Sequence, residues 1–302
     1  MEFPLSCFIW PYIFIFILII VHLLIFFLIV KLVKNIQKLA FVWGMINWSI
    51  AIGLIYFLFT SFIFSDVNNK THDNGIKIAR AIIYGIIPPI TEDLGRLLVF
   101  TFIYKSKSHN FNNSLIFGAG HGGWESIILM AINQIQNLNY FYQIKNTDKE
   151  ENLNENLFEI YNKYKSGIIF DEFLNLLTRL FGNIFHMSAS VIIYSLSLNL
   201  KEKKYIIYFI ICFILHFIID STGQLVHLFN LNIFLNLIFP GLVVIIFIIS
   251  YFVWKENKDK DYIYSHNDKL EDIEEDIEKY KEEDKEENKE EDKEAILLKN
   301  FK

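Results

Sequence analysis

The chain has 302 residues, of which 53% are hydrophobic and 17% are aromatic, and its mean hydropathy is +0.32. Soluble domains are roughly 45–50% apolar, whereas residues 11–30 contain one polar residue, His22. The two cysteines exclude a disulfide framework and a four-thiolate zinc site. These features exclude a plain soluble domain. They predict a multi-pass integral membrane protein that is surrounded by lipid and binds no nucleic acid.

The formal net charge of −6 comes from the C-terminal tail, because the rest of the protein is slightly positive. Residues 255–302 hold 19 acidic and 11 basic residues, which leaves a net charge of +2 for residues 1–254. The tail repeats Lys-Glu-Glu blocks with little apolar content, a composition typical of a disordered segment or a solvated helix. We therefore divide the chain into a transmembrane domain, 1–254, and an acidic tail, 255–302.

Apolar stretches long enough to span a bilayer, about 20 residues, predict an all-α bundle with about seven transmembrane helices. The predicted spans are 11–33, 40–64, 76–104, 113–135, 178–198, 205–228 and 231–253. Between the fourth and fifth spans, residues 136–177 are rich in Asn, Glu and Lys, which predicts a loop outside the bilayer.

Lysines in the short connections predict how the bundle is oriented, because basic residues favour the cytoplasmic side. They follow helix 1 (Lys31, Lys34, Lys38), helix 3 (Lys105, Lys107) and helix 5 (Lys201, Lys203, Lys204). The N-terminus is thus expected outside and the acidic tail in the cytoplasm. The connection after helix 2 is also basic and does not fit this pattern.

The third predicted span contains the sequence PPITEDLGR, which places Glu92, Asp93 and Arg96 in an apolar run. Charged residues cost about 2.5–3.5 kcal/mol each at the middle of a spanning helix, so they indicate a functional site by default. Pro88 and Pro89 predict a break in the helix at this point. Glu92 and Arg96 are four residues apart and share a face, which also permits a purely structural ion pair.

Helices 4, 5 and 6 carry further ionisable residues, which are also spaced by whole turns. They are His121 and Glu125 in helix 4, Arg179 and His186 in helix 5, and His216 and Asp220 in helix 6. Counted from the predicted cytoplasmic ends at about 1.5 Å per residue, Glu92, His121, His186 and His216 lie at depths of about 16–22 Å. Unrelated structural pairs need not share one depth. The sequence therefore predicts one polar cavity between helices 3, 4, 5 and 6.

A carboxylate beside an arginine, together with several histidines in a cavity that water can reach, is suited to hydrolysis. Glu92 can act as the general base toward water, and histidines can donate to the developing oxyanion. Alternatively, His121, His186 and His216 with a carboxylate can bind zinc and leave one position open for water. The spacing of the residues does not decide between no cofactor and zinc.

These residues resemble the signature motifs of the CAAX protease and bacteriocin-processing (CPBP) superfamily of intramembrane proteases. Glu92-Asp93-x-x-Arg96 is similar to EExxR, Phe117-x-x-x-His121 to FxxxH, and His216-x-x-x-Asp220 to HxxxN/D. The longer FGAGHGGWES, with Arg179 ahead of His186, is more particularly similar to the YhfC branch of intramembrane metalloproteases. The resemblance covers residues 1–254 and leaves the tail outside.

The resemblance implies an intramembrane endopeptidase of the CAAX-protease type, acting on a membrane-embedded or membrane-proximal peptide. It implies that Glu92 is the catalytic glutamate, Arg96 the arginine that positions the acid pair, and His121 and His216 the water- or oxyanion-binding histidines. Asp220 matches the variable Asn/Asp position. One departure is Asp93 in place of the second glutamate; another is the additional His186, which competes with His216 for the last histidine role.

Two other classes of membrane protein use similar residues. In a proton- or ion-coupled transporter, carboxylates at mid-membrane and broken helices bind the coupling ion, but the sequence contains no internal repeat. In a membrane cytochrome, histidines of facing helices ligate haem. The site also holds more histidines than an ion path requires, and a visible absorbance spectrum would reveal haem. An interaction protein on a membrane scaffold would not need the charges at one depth, so hydrolysis is the preferred interpretation.

Overall fold

The computed structural model describes residues 6–32, 37–58, 74–104, 111–147, 157–158, 161–162, 169–229 and 232–257. These residues are helical almost throughout. The main helices are α1 (Ser6–Leu32), α2 (Leu39–Leu58), α3 (Asn74–Pro88), α4 (Leu94–Val99), α5 (Phe111–Lys145), α6 (Ile169–Leu198), α7 (Lys203–Phe229) and α8 (Asn232–Asn257). Two π-helical turns, Pro89–Asp93 and Phe100–Tyr104, flank α4.

The all-helical prediction is confirmed, and the helices support an integral membrane protein. Among the described residues, five helices are long and apolar enough to cross a membrane, namely α1, α5, α6, α7 and α8. The described apolar part of α2 is shorter, Leu39–Leu54, and the segment from α3 to α4 carries the charged residues discussed above. The count of seven spans and the orientation of the termini stay predictions.

Two predicted boundaries are wrong. Helix α5 continues to Lys145, so residues 136–145 of the predicted loop are helical, and α6 begins at Ile169 instead of 178. The residues beyond the predicted ends mix polar and apolar side chains, so hydropathy did not place them in a span, but they still form helix. At about 1.5 Å per residue, the 35 residues of α5 are about 52 Å long. This exceeds the bilayer core of about 30 Å.

The predicted break at the two prolines is also corrected. The chain passes from α3 through the π-helical turn Pro89–Asp93 directly into α4. A proline ring would clash with the carbonyl four residues earlier, and the wider π turn relieves such a clash without ending the helix. Thr91 does not cap a new helix, because its hydroxyl donates back to the carbonyl oxygens of Ile87 (3.1 Å) and Pro88 (3.2 Å).

Glycines allow α5 to pack closely against its neighbours α2 and α6. A Cβ atom added at Gly44 of α2 would overlap the carbonyl oxygen of Phe117, and one added at Gly118 of α5 would overlap the backbone of Met187 in α6. Small residues permit such close approach between membrane helices. As a result, α5 lies between α2 and α6, and its His121 lies close to the side chains of both.

Four aromatic side chains form a layer near one end of α5. The ring centroid of Phe100 lies 4.8 Å from that of Phe117 and 5.3 Å from that of Tyr194. The centroids of Tyr194 and Phe111 are 5.0 Å apart. All four are almost completely buried. Phe117 precedes His121 by one turn, so this layer lies directly beside the level of the candidate site.

The chain divides into a helical unit, residues 1–256, and a second unit, residues 257–302, of which the structure describes only Asn257. The prediction for the acidic tail thus lies outside the described residues.

We expect Gly44→Ala to lower the free energy of unfolding by about 1–3 kcal/mol, the usual effect of overpacking. The added methyl group would meet backbone atoms of α5, which cannot move aside as a side chain can. The measurement is thermal unfolding of the purified protein in detergent. Gly53→Ala, in the same helix, is the matched control because nothing lies within 4 Å of its added Cβ. Equal melting temperatures for the two variants would contradict this packing.

Candidate active site

Arg96 lies at the centre of the site and is completely buried. Its Nη1 donates to Asp93 Oδ1, and its Nη2 donates to Glu92 Oε2 at 3.3 Å. Nη2 also lies 2.6 Å from Nδ1 of His186 in α6. One guanidinium group therefore binds both acids of the π turn and a histidine of another helix.

The two acids point to different helices because they are consecutive in a helical turn. Glu92 Oε2 lies 2.9 Å from Nε2 of His121 in α5, and 3.8 Å from Nε2 of His216 in α7. Asp93 Oδ2 lies 3.2 Å from Nδ1 of His216. The π turn thereby connects Arg96 to α5 through Glu92 and to α7 through Asp93.

Two more carboxylates lie one turn further along α5 and α7. Glu125 Oε2 lies 2.7 Å from Nε2 of His186, and Asp220 Oδ2 lies 3.5 Å from Nε2 of His216. Both oxygens are buried, and neither makes a hydrogen bond within the described chain. They are available to a water molecule, a substrate group or a cation.

A cavity of about 540 Å³ opens beside these residues. Its polar lining consists mainly of Glu92, Glu125, Arg179, His186, His216 and Asp220. Its apolar lining includes Trp48, Ile52, Leu129 and Phe239. Such a mixture of apolar walls and a few converging polar groups is typical of a ligand site.

The structure thus brings together all the residues that the sequence singled out. Six of them form one connected network of contacts: Glu92, Asp93, Arg96, His121, His186 and His216. Glu125 and Asp220 extend it, and Arg179 lines the cavity close enough to both for electrostatic interaction. Glu172, on the same helix as Arg179, is instead bound by Gln134 Nε2 at 3.1 and 3.3 Å.

Asn47 of α2 belongs to the site and was not predicted. Its Nδ2 lies 3.3 Å from Nδ1 of His121 and 3.4 Å from the carbonyl oxygen of Glu92, and its side chain packs against Gly95. In the sequence, Asn47 stands out as an amide residue within the apolar run GMINWSIAIG. A polar residue in a spanning helix usually bonds to a neighbouring helix.

Four ligating atoms converge in a way that suits a metal ion. One atom each from Glu92, His121, Glu125 and His186 lies within 4.8 Å of the others. The predicted set was His121, His186 and His216 with Asp220 or Glu125. The group shares His121, His186 and Glu125 with it, adds Glu92 and lacks His216.

We expect Arg96→Met to lower the free energy of unfolding by about 3–5 kcal/mol, because two buried carboxylates would lose their cation. Thermal unfolding in detergent measures this effect. Arg179→Met is the matched control, since Arg179 interacts electrostatically with Glu125 and Asp220 without a direct hydrogen bond or ion pair among the described residues, and we expect it to cost less. Similar losses in both variants would show that the direct contacts of Arg96 add no stability beyond that of a buried positive charge.

Comparison with known proteins finds a related sequence and a matching family. A segment of 70 residues is 36% identical to "Uncharacterized membrane protein YhfC" of Bacillus subtilis (strain 168), covering 23% of this chain and 27% of that relative. The chain thus aligns with about a quarter of the relative's length. No solved structure matches. Residues 14–247 match the family described as YhfC intramembrane metalloprotease, and the chain therefore belongs to that family.

Proposed function

We propose that the chain hydrolyses peptide bonds of membrane-embedded or membrane-proximal substrates, and that Glu92 activates the attacking water. The observation that carries this proposal is the position of Glu92, which faces the cavity while its Oε2 lies 2.9 Å from His121 Nε2. Asp93, the neighbouring acid, is completely buried and binds Arg96 and His216 instead. Only one acid of the pair is thus placed to meet water.

In the proposed reaction, Glu92 accepts a proton from water while the water oxygen attacks the carbonyl carbon of the substrate. The same carboxyl group then delivers the proton to the leaving amine nitrogen. His216 stabilises the oxyanion of the intermediate through a ring N–H group, whereas His121, whose two ring nitrogens face Glu92 and Asn47, orients Glu92. Both ring nitrogens of His216 face carboxylate oxygens, of Asp93 at 3.2 Å and of Asp220 at 3.5 Å. These contacts orient the ring, which lines the cavity.

Arg96 and Asp93 position these groups without touching the substrate. Arg96 holds Glu92 and Asp93 in fixed directions, and Asp93 orients the ring of His216. These roles correspond to those that the CPBP resemblance implies for the EExxR and HxxxN/D motifs. The apolar lining of the cavity, including Trp48 and Phe239, supports a substrate that enters from the membrane.

A second candidate is a zinc-dependent form of the same hydrolysis, favoured by the converging group of Glu92, His121, Glu125 and His186. The donors suit zinc, and the buried Glu125 Oε2 has no hydrogen-bond partner in the described chain. The site also contains four carboxylates and two guanidinium groups, those of Glu92, Asp93, Glu125, Asp220, Arg96 and Arg179. The residues therefore fit a divalent cation, which this group would hold. When bound, it would polarise the substrate carbonyl and the water.

We expect Glu92→Gln to reduce turnover roughly 10²- to 10⁴-fold, because the amide keeps the shape but cannot accept a proton from water. The measurement is cleavage of a fluorogenic membrane-anchored peptide by the reconstituted protein. Glu172→Gln is the matched control: it changes another buried glutamate, outside the cavity and bound to Gln134. Full activity of Glu92→Gln in a folded protein would disprove the role of Glu92.

Metal content distinguishes the two forms of the reaction. If Glu92 acts alone, we expect a chelator to leave turnover unchanged and Glu125→Gln to leave the metal content unchanged. If zinc is required, the purified protein should hold one zinc ion per chain, a chelator should abolish turnover, and added zinc should restore it. Mass spectrometry of metals and the peptide assay together decide between them.

A further inference from the structure

The contact between Arg96 and His186 determines which nitrogen of His186 carries a proton. Arg96 Nη2 lies 2.6 Å from His186 Nδ1, and both side chains are buried. A guanidinium group has N–H donors only and stays protonated in proteins. The Nδ1 atom must therefore accept, and it cannot carry a hydrogen.

A neutral imidazole has one N–H group, so the hydrogen of His186 is on Nε2. A doubly protonated ring would direct an Nδ1–H group against the guanidinium, so the same contact disfavours it. The Nε2 atom lies 2.7 Å from Glu125 Oε2. Glu125 Oε2 is therefore a close acceptor for this N–H group, and both side chains line the cavity, where a substrate oxygen can take its place. Because His186 lines the cavity, its N–H group is available there.

The other two histidines have different surroundings at Nδ1. His216 Nδ1 faces a carboxylate oxygen of Asp93 at 3.2 Å, to which it can donate. His121 Nδ1 faces the side-chain amide of Asn47 at 3.3 Å, and an amide can turn to accept instead of donate. Histidines that bind metals almost always donate their second N–H to a carboxylate, a carbonyl or water. His186 alone faces a group that can never accept.

We propose that Arg96 fixes His186 as an Nε2–H donor toward the cavity, so that His186 is not a metal ligand. A cation at this site would then be held by Glu92, His121 and Glu125. The donor role rests on the proposed hydrolysis, in which the Nε2–H group of His186 binds the substrate carbonyl oxygen as it becomes an oxyanion.

The direct test is nitrogen NMR of the full-length protein in detergent, labelled with ¹⁵N in its histidine rings. Protonated, unprotonated and metal-bound ring nitrogens differ in chemical shift, and the signals of His186 are those lost in His186→Asn. We expect an unprotonated Nδ1 and a protonated Nε2, both unchanged when zinc is added. A protonated Nδ1, or a shift of Nε2 to a metal-bound position with zinc, would overturn the proposal.

Two substitutions test the donor role. In His186→Asn, the side-chain oxygen takes the place of Nδ1 and can accept from Arg96, but nothing replaces Nε2. In His186→Gln, the longer side chain places an amide N–H near the position of Nε2. We expect His186→Asn to lose about 10²–10³ in turnover, as for a lost oxyanion donor, and His186→Gln to retain more. Equal activity of wild type and His186→Asn would contradict the donor role.

The outcomes separate this inference from the proposed function. The ring nitrogens report the tautomer whether or not the protein cleaves a peptide. If no peptide is cleaved but Nε2 is protonated and unaffected by zinc, hydrolysis fails and the assignment of His186 holds. If peptides are cleaved but zinc binds Nε2 of His186, hydrolysis holds and the assignment of His186 fails.

Discussion

The structure depends on the burial of one arginine at membrane depth. A guanidinium group without partners would be very costly there, and Arg96 is completely buried. It is compensated by Glu92 and Asp93 of the same segment and by His186 of α6. These contacts link the charged segment to α6, and the two acids extend them to His121 of α5 and His216 of α7. The geometry of the candidate site and the packing of four helices therefore depend on the same charge.

The sequence predicted the positions of the charges better than the shape of the backbone that carries them. Ionisable residues in apolar runs are conspicuous, and their whole-turn spacing placed Glu92, His121, His186 and His216 at one level. Two consecutive prolines, however, fit either a broken helix or a π turn, and the sequence does not decide between these. The length of α5 was underestimated because its last ten residues mix polar and apolar side chains, and a hydropathy average does not show that a helix continues through them.

The chemical states of the three histidines were beyond sequence analysis for a different reason. Spacing places a ring on a helix face, but it does not say which group approaches each ring nitrogen. That depends on residues far apart in the chain: Asn47 for His121, Arg96 for His186 and Asp93 for His216. The three histidines could therefore be grouped from the sequence, but their individual surroundings could not be predicted. In the structure, the three rings have different hydrogen-bonding environments, and these indicate different roles.

The aromatic layer of Phe100, Phe111, Phe117 and Tyr194 has a consequence for the side from which the charged cluster is reached. It lies one turn from Arg96 and His121 on one side, whereas the cavity extends along the helices on the other side, toward Leu129 and Gly223. Among the described residues, the buried layer thus separates the charged cluster from the Phe111 end of α5, and the cavity lies on the other side of the cluster. In the hydrolysis proposed above, water and peptide would then both reach Glu92 from the cavity.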